Sequence, residues 1–294
     1  MSGQPERRDA AVPDEPIAIV CGGGSLPLAV ADAASRRGRR AVMLAVRGFA
    51  DPQVERYRCH WIALGQLGRV FGLLRAEGCR DVVFIGGMLR PALARIRLDW
   101  TTIRAVPRIL RAFRGGDDHL LASIARLFED AGFRLVGAHE VAPELLLPEG
   151  ALGTRGPSER DRADIEHGLA LLSALGPFDV GQAAVVAGRH VIAVEAAEGT
   201  DRMLERVAAL RRDGRIRSEL GRGVLVKTPK PTQDRRFDLP SIGPPTIAGL
   251  AKAGLAGLAA TAGETFVAEP GELLRAAEAA GVFVIGMPSH GAGA

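Results

Sequence analysis

The fold is decided by residues 17–37, which read IAIVCGGGSLPLAVADAASRR. The apolar run Ile17–Cys21 passes directly into the turn Gly22-Gly23-Gly24, and a helical pattern follows over residues 28–37. A strand that enters a helix through a glycine turn is typical of the first unit of an α/β sheet. Glycines let backbone N–H groups approach a phosphate, and a helix N-terminus favours negative charge. The turn therefore predicts either a phosphate site or a tight connection without a ligand.

This turn matches none of three common loop motifs. It is not a P-loop, because no Gly-Lys-Ser/Thr follows the glycines. It departs from the GxGxxG spacing of dinucleotide-binding turns, and the second apolar run ends in Arg47 rather than in an acid that could bind a ribose. It is not a nucleophile elbow, because Pro27 stands where G-x-S-x-G requires its last glycine.

Apolar runs alternate with helical patterns through the first half of the chain. The runs cover residues 17–21, 41–46, 81–86 and 133–138, and the helical patterns cover residues 28–37, 67–77 and 117–131. Strands that are apolar almost throughout predict a parallel sheet covered on both faces. The predicted organisation is a tail (1–15), a first domain (16–147), a linker rich in Gly, Pro, Ser and charge (148–163), a second domain (164–288) and a short tail (289–294).

The second half has a mixed pattern. Helices are predicted near residues 164–175, 201–211 and 246–253, and strands at 183–187, 191–194, 224–227, near Phe266 and at 282–286. A proline-rich loop covers residues 228–245. The small-residue stretch 251–262 is interpreted as helical, and whether it belongs to the core or to an interface is left open.

Composition limits the function. The net charge is only +4, and aromatic residues make up 4%, which argues against a stacking platform for nucleic acid. Three cysteines without a CxxC pair indicate a reducing compartment. No apolar leader or spanning segment is visible, so a cytoplasmic protein is expected, and contact with a membrane surface is left open. Only three of the 38 basic residues are lysines, and two of these, Lys227 and Lys230, fall in one four-residue stretch.

Two motifs of the second half can support phosphate chemistry. Glu195-Ala-Ala-Glu-Gly-Thr-Asp201 follows a predicted strand, where open α/β sheets place ligands, and its carboxylates could hold Mg²⁺ or simply cap a helix. Lys227-Thr-Pro-Lys-Pro-Thr-Gln233 opens the long loop, and its lysines suit phosphate oxygens. Asp238, between Phe237 and Leu239, could bind a metal or act as a base on water. The alternative for this loop is an ordinary solvated segment.

A basic amphipathic pattern lies within the first half of the chain. Arg104, Arg108 and Arg111 recur at helical spacing beside apolar residues, as on a surface helix that binds anionic lipid. Pro107 interrupts the pattern, and an ordinary solvated helix face is the favoured interpretation. The six histidines show no zinc-binding spacing.

Taken in order, the motifs resemble the LpxI-type UDP-2,3-diacylglucosamine pyrophosphatase family of lipid A biosynthesis. The resemblance runs from about residue 17 to residue 286, and it rests on Gly22-Gly23-Gly24-x-Leu26-Pro27, Gly86 with Arg90-Pro91, Gly116-Asp117-Asp118, Gly137-Ala138-His139-Glu140-Val141, Gly181-Gln182, Glu195-x-x-Glu198-Gly199-Thr200-Asp201, Lys227-x-Pro229-Lys230-Pro231-x-Gln233 and Asp238-Leu239-Pro240-x-Ile242-Gly243.

The resemblance implies a fold and a reaction. The fold would be α/β with two domains, an N-terminal Rossmann-like parallel sheet and a separate C-terminal α/β domain, with the glycolipid between them. The enzyme would hydrolyse UDP-2,3-diacylglucosamine to UMP and 2,3-diacylglucosamine 1-phosphate (lipid X), using Mg²⁺ or Mn²⁺. It would work at the inner-membrane surface without nucleic acid, and homodimerisation is left open.

The resemblance also implies roles for individual residues. Asp238 would be the catalytic aspartate, and Asp201 and Glu195 would help it to hold the cation or the attacking water. The expected substrate contacts are Gly23, Gly24, Leu26, Gly86, Thr200, Asp201, Lys227, Lys230 and Gln233. Two other classes stay open: a nicotinamide-dependent oxidoreductase, favoured only by the glycine turn, and a non-catalytic nucleotide or glycolipid carrier of the same architecture.

Overall fold

A computed structural model of the chain describes residues 15–87, 99–104, 117–178, 180–216, 219–230, 233–237 and 239–289, with the backbone alone for residues 117–122. The described residues form two compact units. The first unit contains the described residues up to 141 except 117–122. The second unit contains residues 117–122 and the described residues from 142 onward. Each unit has its own main sheet, which confirms the predicted two-domain α/β class.

The first unit is built on a five-stranded parallel sheet in the order β3-β2-β1-β4-β5. Every residue of β1 and β2 is buried, as their unbroken apolar sequences require. This strand order is Rossmann-like, and it reverses between β1 and β4, where such sheets open a crevice at the strand ends. The strands are β1 (Ile17–Cys21), β2 (Ala41–Val46), β3 (Arg58–Ile62), β4 (Asp81–Ile85) and β5 (Arg134–Leu135).

Helices connect these strands. An aromatic cluster packs them against β4: the Phe128 ring lies 5.1 Å from both Phe71 and Phe84, edge-on in each case. The helices of the first half of the chain are α1 (Leu26–Arg36), α2 (Leu67–Ala76), α3 (Asp117–Asp130) and α4 (Ala138–Val141), and residues 100–104 are also helical. The predicted strand over residues 133–138 is too long, because only Arg134–Leu135 pairs with β4 and a helical turn begins at Ala138.

The second unit has a six-stranded mixed sheet in the order β6-β13-β11-β9-β7-β8. Strands β9, β11 and β13 are parallel, whereas β6, β7 and β8 pair antiparallel with their neighbours. A separate two-stranded sheet joins β10 and β12. The strands are β6 (Gly150–Ala151), β7 (Ala183–Ala187), β8 (His190–Val194), β9 (Val224–Lys227), β10 (Ser241–Ile242), β11 (Gly257–Thr261), β12 (Phe266–Val267) and β13 (Phe283–Met287).

Alternate residues of the central strands enter two different cores. Leu225 and Leu258 pack with residues of α6, α7 and α8, while Val226 and Ala259 pack on the opposite face with residues of α5. The sheet is therefore covered on both faces. These helices are α5 (Glu159–Leu175), α6 (Gly199–Arg212), α7 (Pro244–Ala253) and α8 (Pro270–Ala280).

The helical interpretation of residues 251–262 is wrong. Helix α7 ends at Ala253, because Gly254 takes a left-handed conformation with φ 63°. The chain then forms β11, the buried strand between β9 and β13. A side chain at Gly257 would place Cβ 2.4 Å from the Phe283 ring, so glycine is required where these strands meet.

The region interpreted as a linker, residues 148–163, carries regular structure at both ends. Residues 150–151 form β6 and pair with β13 at the sheet edge. Ser158 then caps α5: its hydroxyl accepts from the Asp161 N–H, and the Asp161 carboxylate accepts from the Ser158 N–H. In the part of the chain that the structure describes, no helix has the length and apolarity needed to cross a membrane.

Candidate active site

A continuous series of hydrogen bonds links Glu195, Thr200 and Lys227 at one end of the second sheet. The Thr200 hydroxyl donates to Glu195 Oε1 over 2.9 Å and accepts from Lys227 Nζ over 3.0 Å. The same ammonium donates to the carbonyl oxygen of Ser241 over 3.0 Å. We call these three side chains the Glu195–Lys227 network. It connects a carboxylate to an ammonium through a single hydroxyl.

Sheet register explains why these residues meet. Strand β7 is antiparallel to both β8 and β9, so its first residue lies beside the last residues of its two neighbours, and Ala183 pairs with Lys227. Glu195 follows β8 directly, Lys227 ends β9, and Thr200 lies in the first turn of α6. The network therefore joins two motifs that are distant in the sequence. Thr200 and Lys227, which share a hydrogen bond, lie 27 residues apart in the chain.

The dipeptide before β7 completes this arrangement. The Gln182 N–H donates to Glu195 Oε2 over 3.0 Å, and the Gln182 carbonyl accepts from the Thr228 N–H over 3.0 Å. A side chain at Gly181 would place Cβ 2.3 Å from the Glu195 carbonyl oxygen, which no substitution could tolerate without backbone movement. Both carboxylate oxygens of Glu195 are therefore engaged with donors of the protein itself.

Lys227 is buried although it carries a charge. Only 8% of the residue is exposed. Burying an ammonium is costly unless acceptors replace its lost water, and Thr200 and Ser241 supply two of them. A lysine held in this way is a fixed point charge of the kind that binds phosphate oxygens.

The proline-rich loop has two sets of contacts of its own. Lys230 and Gln233 close a turn, in which the Gln233 N–H donates to the Lys230 carbonyl over 3.2 Å and the Lys230 N–H donates to Gln233 Oε1 over 3.1 Å. Arg235 forms an ion pair with Glu264 at 3.1 Å and fixes the loop to the β11–β12 connection. The expected catalytic residue of this loop, Asp238, lies outside the described residues, as does Pro231-Thr232.

Two of the three expected cation ligands, Glu195 and Asp201, lie among the described residues. Among the residues that the structure describes, no group of three or more His, Cys, Asp and Glu side chains could hold a metal ion. Glu195 already accepts two hydrogen bonds, and its network ends in an ammonium. Asp201 is exposed in the first turn of α6. The described members of the expected set, Glu195 and Asp201, therefore do not form a cation site by themselves.

In the first unit, the glycine turn is closed by the backbone. The Gly22 N–H donates to the Ile85 carbonyl over 3.0 Å, and Gly23 and Gly87 exchange two hydrogen bonds of 2.9 and 3.0 Å. The amides of Gly22 and Gly23 are thus already bonded within the turn. Gly24 has φ 92°, no atom of the described residues lies within 4 Å of its Cβ position, and Ser25 gives α1 no side-chain cap. Among the described hydrogen bonds none uses the Gly24 N–H, so the donors that the turn offers to an anion are this amide and those at the start of α1.

Gly86 is the residue of this turn that tolerates a side chain least. It has φ 101°, and an added Cβ would lie 2.8 Å from the Gly23 carbonyl oxygen and 2.9 Å from the Gly22 carbonyl carbon. We expect Gly86→Ala to lower the free energy of unfolding by about 2–4 kcal/mol, since it adds backbone strain to an overpacked contact. Thermal and urea unfolding will measure the loss.

Gly87→Ala is the matched control for this variant. No atom of the described residues lies within 4 Å of a Cβ at Gly87, and its φ is not positive, so the change should stay within about 0.5 kcal/mol. Equal unfolding midpoints for the two variants would contradict the close approach of Gly86 to the Gly22-Gly23 backbone.

The cysteines do not provide a nucleophile. Burial raises the pKa of the Cys21 thiol to about 12 and that of Cys79 to about 11, and burial also raises the pKa of Cys59. All three are free thiols. Because the thiolate is the reactive form, they are inert near neutral pH.

The structure brings Glu195, Thr200 and Lys227 together in the second unit, and Gly23, Gly24 and Gly86 in the first. Leu26 begins α1, directly after that turn. Gly181 and Gln182 belong to the motifs that carry the family resemblance, but the sequence assigns no role to them or to Ser241. Ser241 contributes a backbone carbonyl, which any residue would supply, so its side chain could not reveal it.

The two sheets define a two-domain α/β protein with a Rossmann-like first unit and polar loops gathered at strand ends. Family models of the LpxI N-terminal domain and the LpxI C-terminal domain match residues 16–145 and 148–285. A protein of Caulobacter vibrioides named UDP-2,3-diacylglucosamine pyrophosphatase LpxI is 42% identical over 271 residues, covering 92% of this chain and 97% of that protein. The chain belongs to the LpxI family, which confirms the resemblance seen in its motifs.

Proposed function

We propose that this chain hydrolyses the pyrophosphate bond of UDP-2,3-diacylglucosamine to UMP and 2,3-diacylglucosamine 1-phosphate, as a step of lipid A biosynthesis. Membership of the LpxI family makes it an enzyme of the pyrophosphate hydrolase class. The observation that carries the substrate assignment is the buried Lys227 ammonium at the strand ends of the second unit. The relative that is 42% identical to this chain is named for this substrate.

The chemistry requires charge neutralisation and an oriented water. Water forms a new bond to phosphorus while the anhydride P–O bond breaks, and negative charge develops on the leaving phosphate. Lys227 and Lys230 would stabilise that charge, and Asp238 would orient the water or accept its proton. The remaining proposed substrate contacts are Gly23, Gly24, Leu26, Gly86, Thr200, Asp201 and Gln233.

Mg²⁺ or Mn²⁺ is the proposed cofactor. A divalent cation would neutralise the phosphate oxygens beyond what two lysines can do. Asp238 and Asp201 are the proposed ligands, since oxygen donors suit both ions and the Asp201 carboxylate is exposed. Glu195, the third residue expected in this set, already accepts two hydrogen bonds from the protein itself.

The function is tested by measuring UMP release from UDP-2,3-diacylglucosamine with the purified full-length chain. We expect release with Mg²⁺ or Mn²⁺ and at least about a hundredfold less with excess EDTA, because the cation stabilises developing charge. Substrate binding without turnover under any cation would favour the carrier alternative. A change in NADPH fluorescence on titration would favour the oxidoreductase alternative.

We also propose that the enzyme binds the inner-membrane surface through residues 99–104. Trp100 and Ile103 are 69% and 44% exposed, and the Arg104 guanidinium lies 5.7 Å from the centre of the Trp100 ring. Asp99 and Thr102 turn the other way, since both accept hydrogen bonds from the first turn of α2. Exposed apolar side chains beside an arginine suit an anionic bilayer. Arg108 and Arg111 of the predicted pattern lie outside the described residues.

Cosedimentation with phosphatidylglycerol vesicles tests this surface. The variant Trp100→Ser/Ile103→Ser is expected to bind the vesicles at least about tenfold more weakly, because it lacks the two apolar side chains that would be transferred from water into the bilayer. Phe178→Ser is the control, since Phe178 is 73% exposed but lies in the second unit. Equal losses in both variants would show that this segment has no special role.

A further inference from the structure

We infer that Glu195 and Thr200 are positioning residues that hold the Lys227 ammonium in place, and that Glu195 is not a ligand of the divalent cation. The inference deepens the proposed function, on which its kinetic test rests. The two oxygens of the Glu195 carboxylate accept hydrogen bonds from the Gln182 N–H and the Thr200 hydroxyl.

The direction of the hydrogen bonds defines the role of Thr200. A hydroxyl has one hydrogen to donate. The ammonium of Lys227 can only donate, so the Thr200 oxygen must accept from it and its hydrogen is free to bond Glu195 Oε1. The carboxylate thus sets the orientation of the hydroxyl, and the hydroxyl sets the position of the ammonium.

Electrostatics favours this role over cation binding. The carboxylate of Glu195 compensates the Lys227 ammonium, which lies one hydroxyl away and is 8% exposed. A divalent cation on the same carboxylate would compete with both present donors and repel that ammonium. The close approach of Gly181 and the Gln182 N–H further fixes Glu195 from the opposite side.

Glu195→Gln tests the network with almost no change in shape. Two donors, the Gln182 N–H and the Thr200 hydroxyl, need acceptor oxygens at this position, and an amide has only one. Thr200→Val removes the hydroxyl at similar volume, and Thr200→Ser restores it. Glu205→Gln is the matched control, because Glu205 lies on the same helix, exposed, with only a 3.8 Å ion pair to Arg202.

Lysine acetylation provides a readout that does not depend on turnover. The chain has three lysines, and the exposed Lys252 serves as an internal reference for the buried Lys227. Acetic anhydride labels the lysines, and mass spectrometry measures the Lys227:Lys252 labelling ratio. We expect this ratio to rise about fivefold in Glu195→Gln and in Thr200→Val, because the loss of one hydrogen bond changes the equilibrium that protects Lys227 by about that factor. The ratio should stay at the wild-type value in Thr200→Ser and Glu205→Gln. Unchanged ratios in Glu195→Gln and Thr200→Val would overturn the inference.

Coupling between the two variants tests whether they act through one path. If Glu195 acts on Lys227 through Thr200, the double variant Glu195→Gln/Thr200→Val should label no faster than the faster single variant. If the labelling increases of the two single variants multiply in the double variant, Glu195 and Thr200 act on Lys227 independently, which contradicts the inference.

Cation dependence separates positioning from metal ligation. Glu195→Gln should lower kcat about ten- to a hundredfold, as loss of a supporting residue does, and leave the half-activating Mn²⁺ concentration within about twofold of the wild type. Mn²⁺ binding to the protein, followed by electron paramagnetic resonance, should be equally unchanged. A tenfold or larger rise in either constant would make Glu195 a cation ligand. If the wild type releases no UMP, the proposed function fails, while the acetylation ratios still decide the role of the network.

Discussion

Asp238→Ala is expected to reduce UMP release from UDP-2,3-diacylglucosamine by about a thousandfold or more, the loss seen when a residue that acts on the reacting atoms is removed. The Asp238 carboxylate would be the group that orients the attacking water or takes its proton, and alanine offers no acceptor. The measurement is kcat and KM under saturating Mg²⁺ or Mn²⁺, together with the unfolding temperature of the variant.

Asp234→Asn is the control for the same loop. Asp234 forms an ion pair with Arg236 at 2.8 Å, and asparagine keeps an acceptor for that guanidinium. We therefore expect a rate within about tenfold of the wild type. Retained turnover in Asp238→Ala, with the protein folded, would remove Asp238 from the catalytic role.

Lys227→Met is expected to lower kcat about 10²- to 10³-fold, because it removes a preorganised charge that would stabilise the leaving phosphate. Methionine nearly preserves the length of the side chain but donates no hydrogen bond, so the Ser241 carbonyl and the Thr200 hydroxyl each lose a donor. The free energy of unfolding should fall by about 1–3 kcal/mol for the unpaired buried groups. Steady-state kinetics and thermal unfolding measure the two effects.

Lys252→Met shows what the loss of any lysine does. Lys252 is exposed in the last turn of α7. Its replacement should leave kcat unchanged and stability within about 0.5 kcal/mol. A Lys227→Met variant with near wild-type kcat would contradict the role of this ammonium in the reaction, whatever its effect on stability.

Several buried strands were predictable because their sequences are apolar almost throughout. Strands β1, β2, β7 and β9 begin and end where the apolar runs predict. Strand β3 was missed, because its residues RCHWI are mixed in polarity and only its last residue is buried, as at a sheet edge. Strand β11 was missed for the opposite reason: its residues are small and apolar without a period, and pairing on both sides decides its conformation.

The site was predictable in its residues and not in its bonding. The rarity of lysine identified Lys227 and Lys230, and the carboxylates after β8 identified Glu195 and Asp201. No spacing rule could show that Glu195 accepts from Gln182 and Thr200, since these contacts depend on the antiparallel register of β7 with β8 and β9. The same holds for the glycine turn. Its sequence suggests amides that are available to a ligand, but in the fold the Gly22 N–H donates to Ile85 of β4 and the Gly23 N–H donates to Gly87.

By itself, the sequence determined the α/β class, strands β1, β2, β7 and β9, the family and the residues that carry charge near the proposed reaction. These properties follow from local apolar pattern, glycine and lysine placement, and motif order, which are independent of distant contacts. Only the tertiary structure decided that Lys227 is buried, that Glu195 faces the protein's own donors, and that β11 is a strand. Burial and hydrogen-bond partners are set by strand register between distant segments, and that information exists only once the chain has folded.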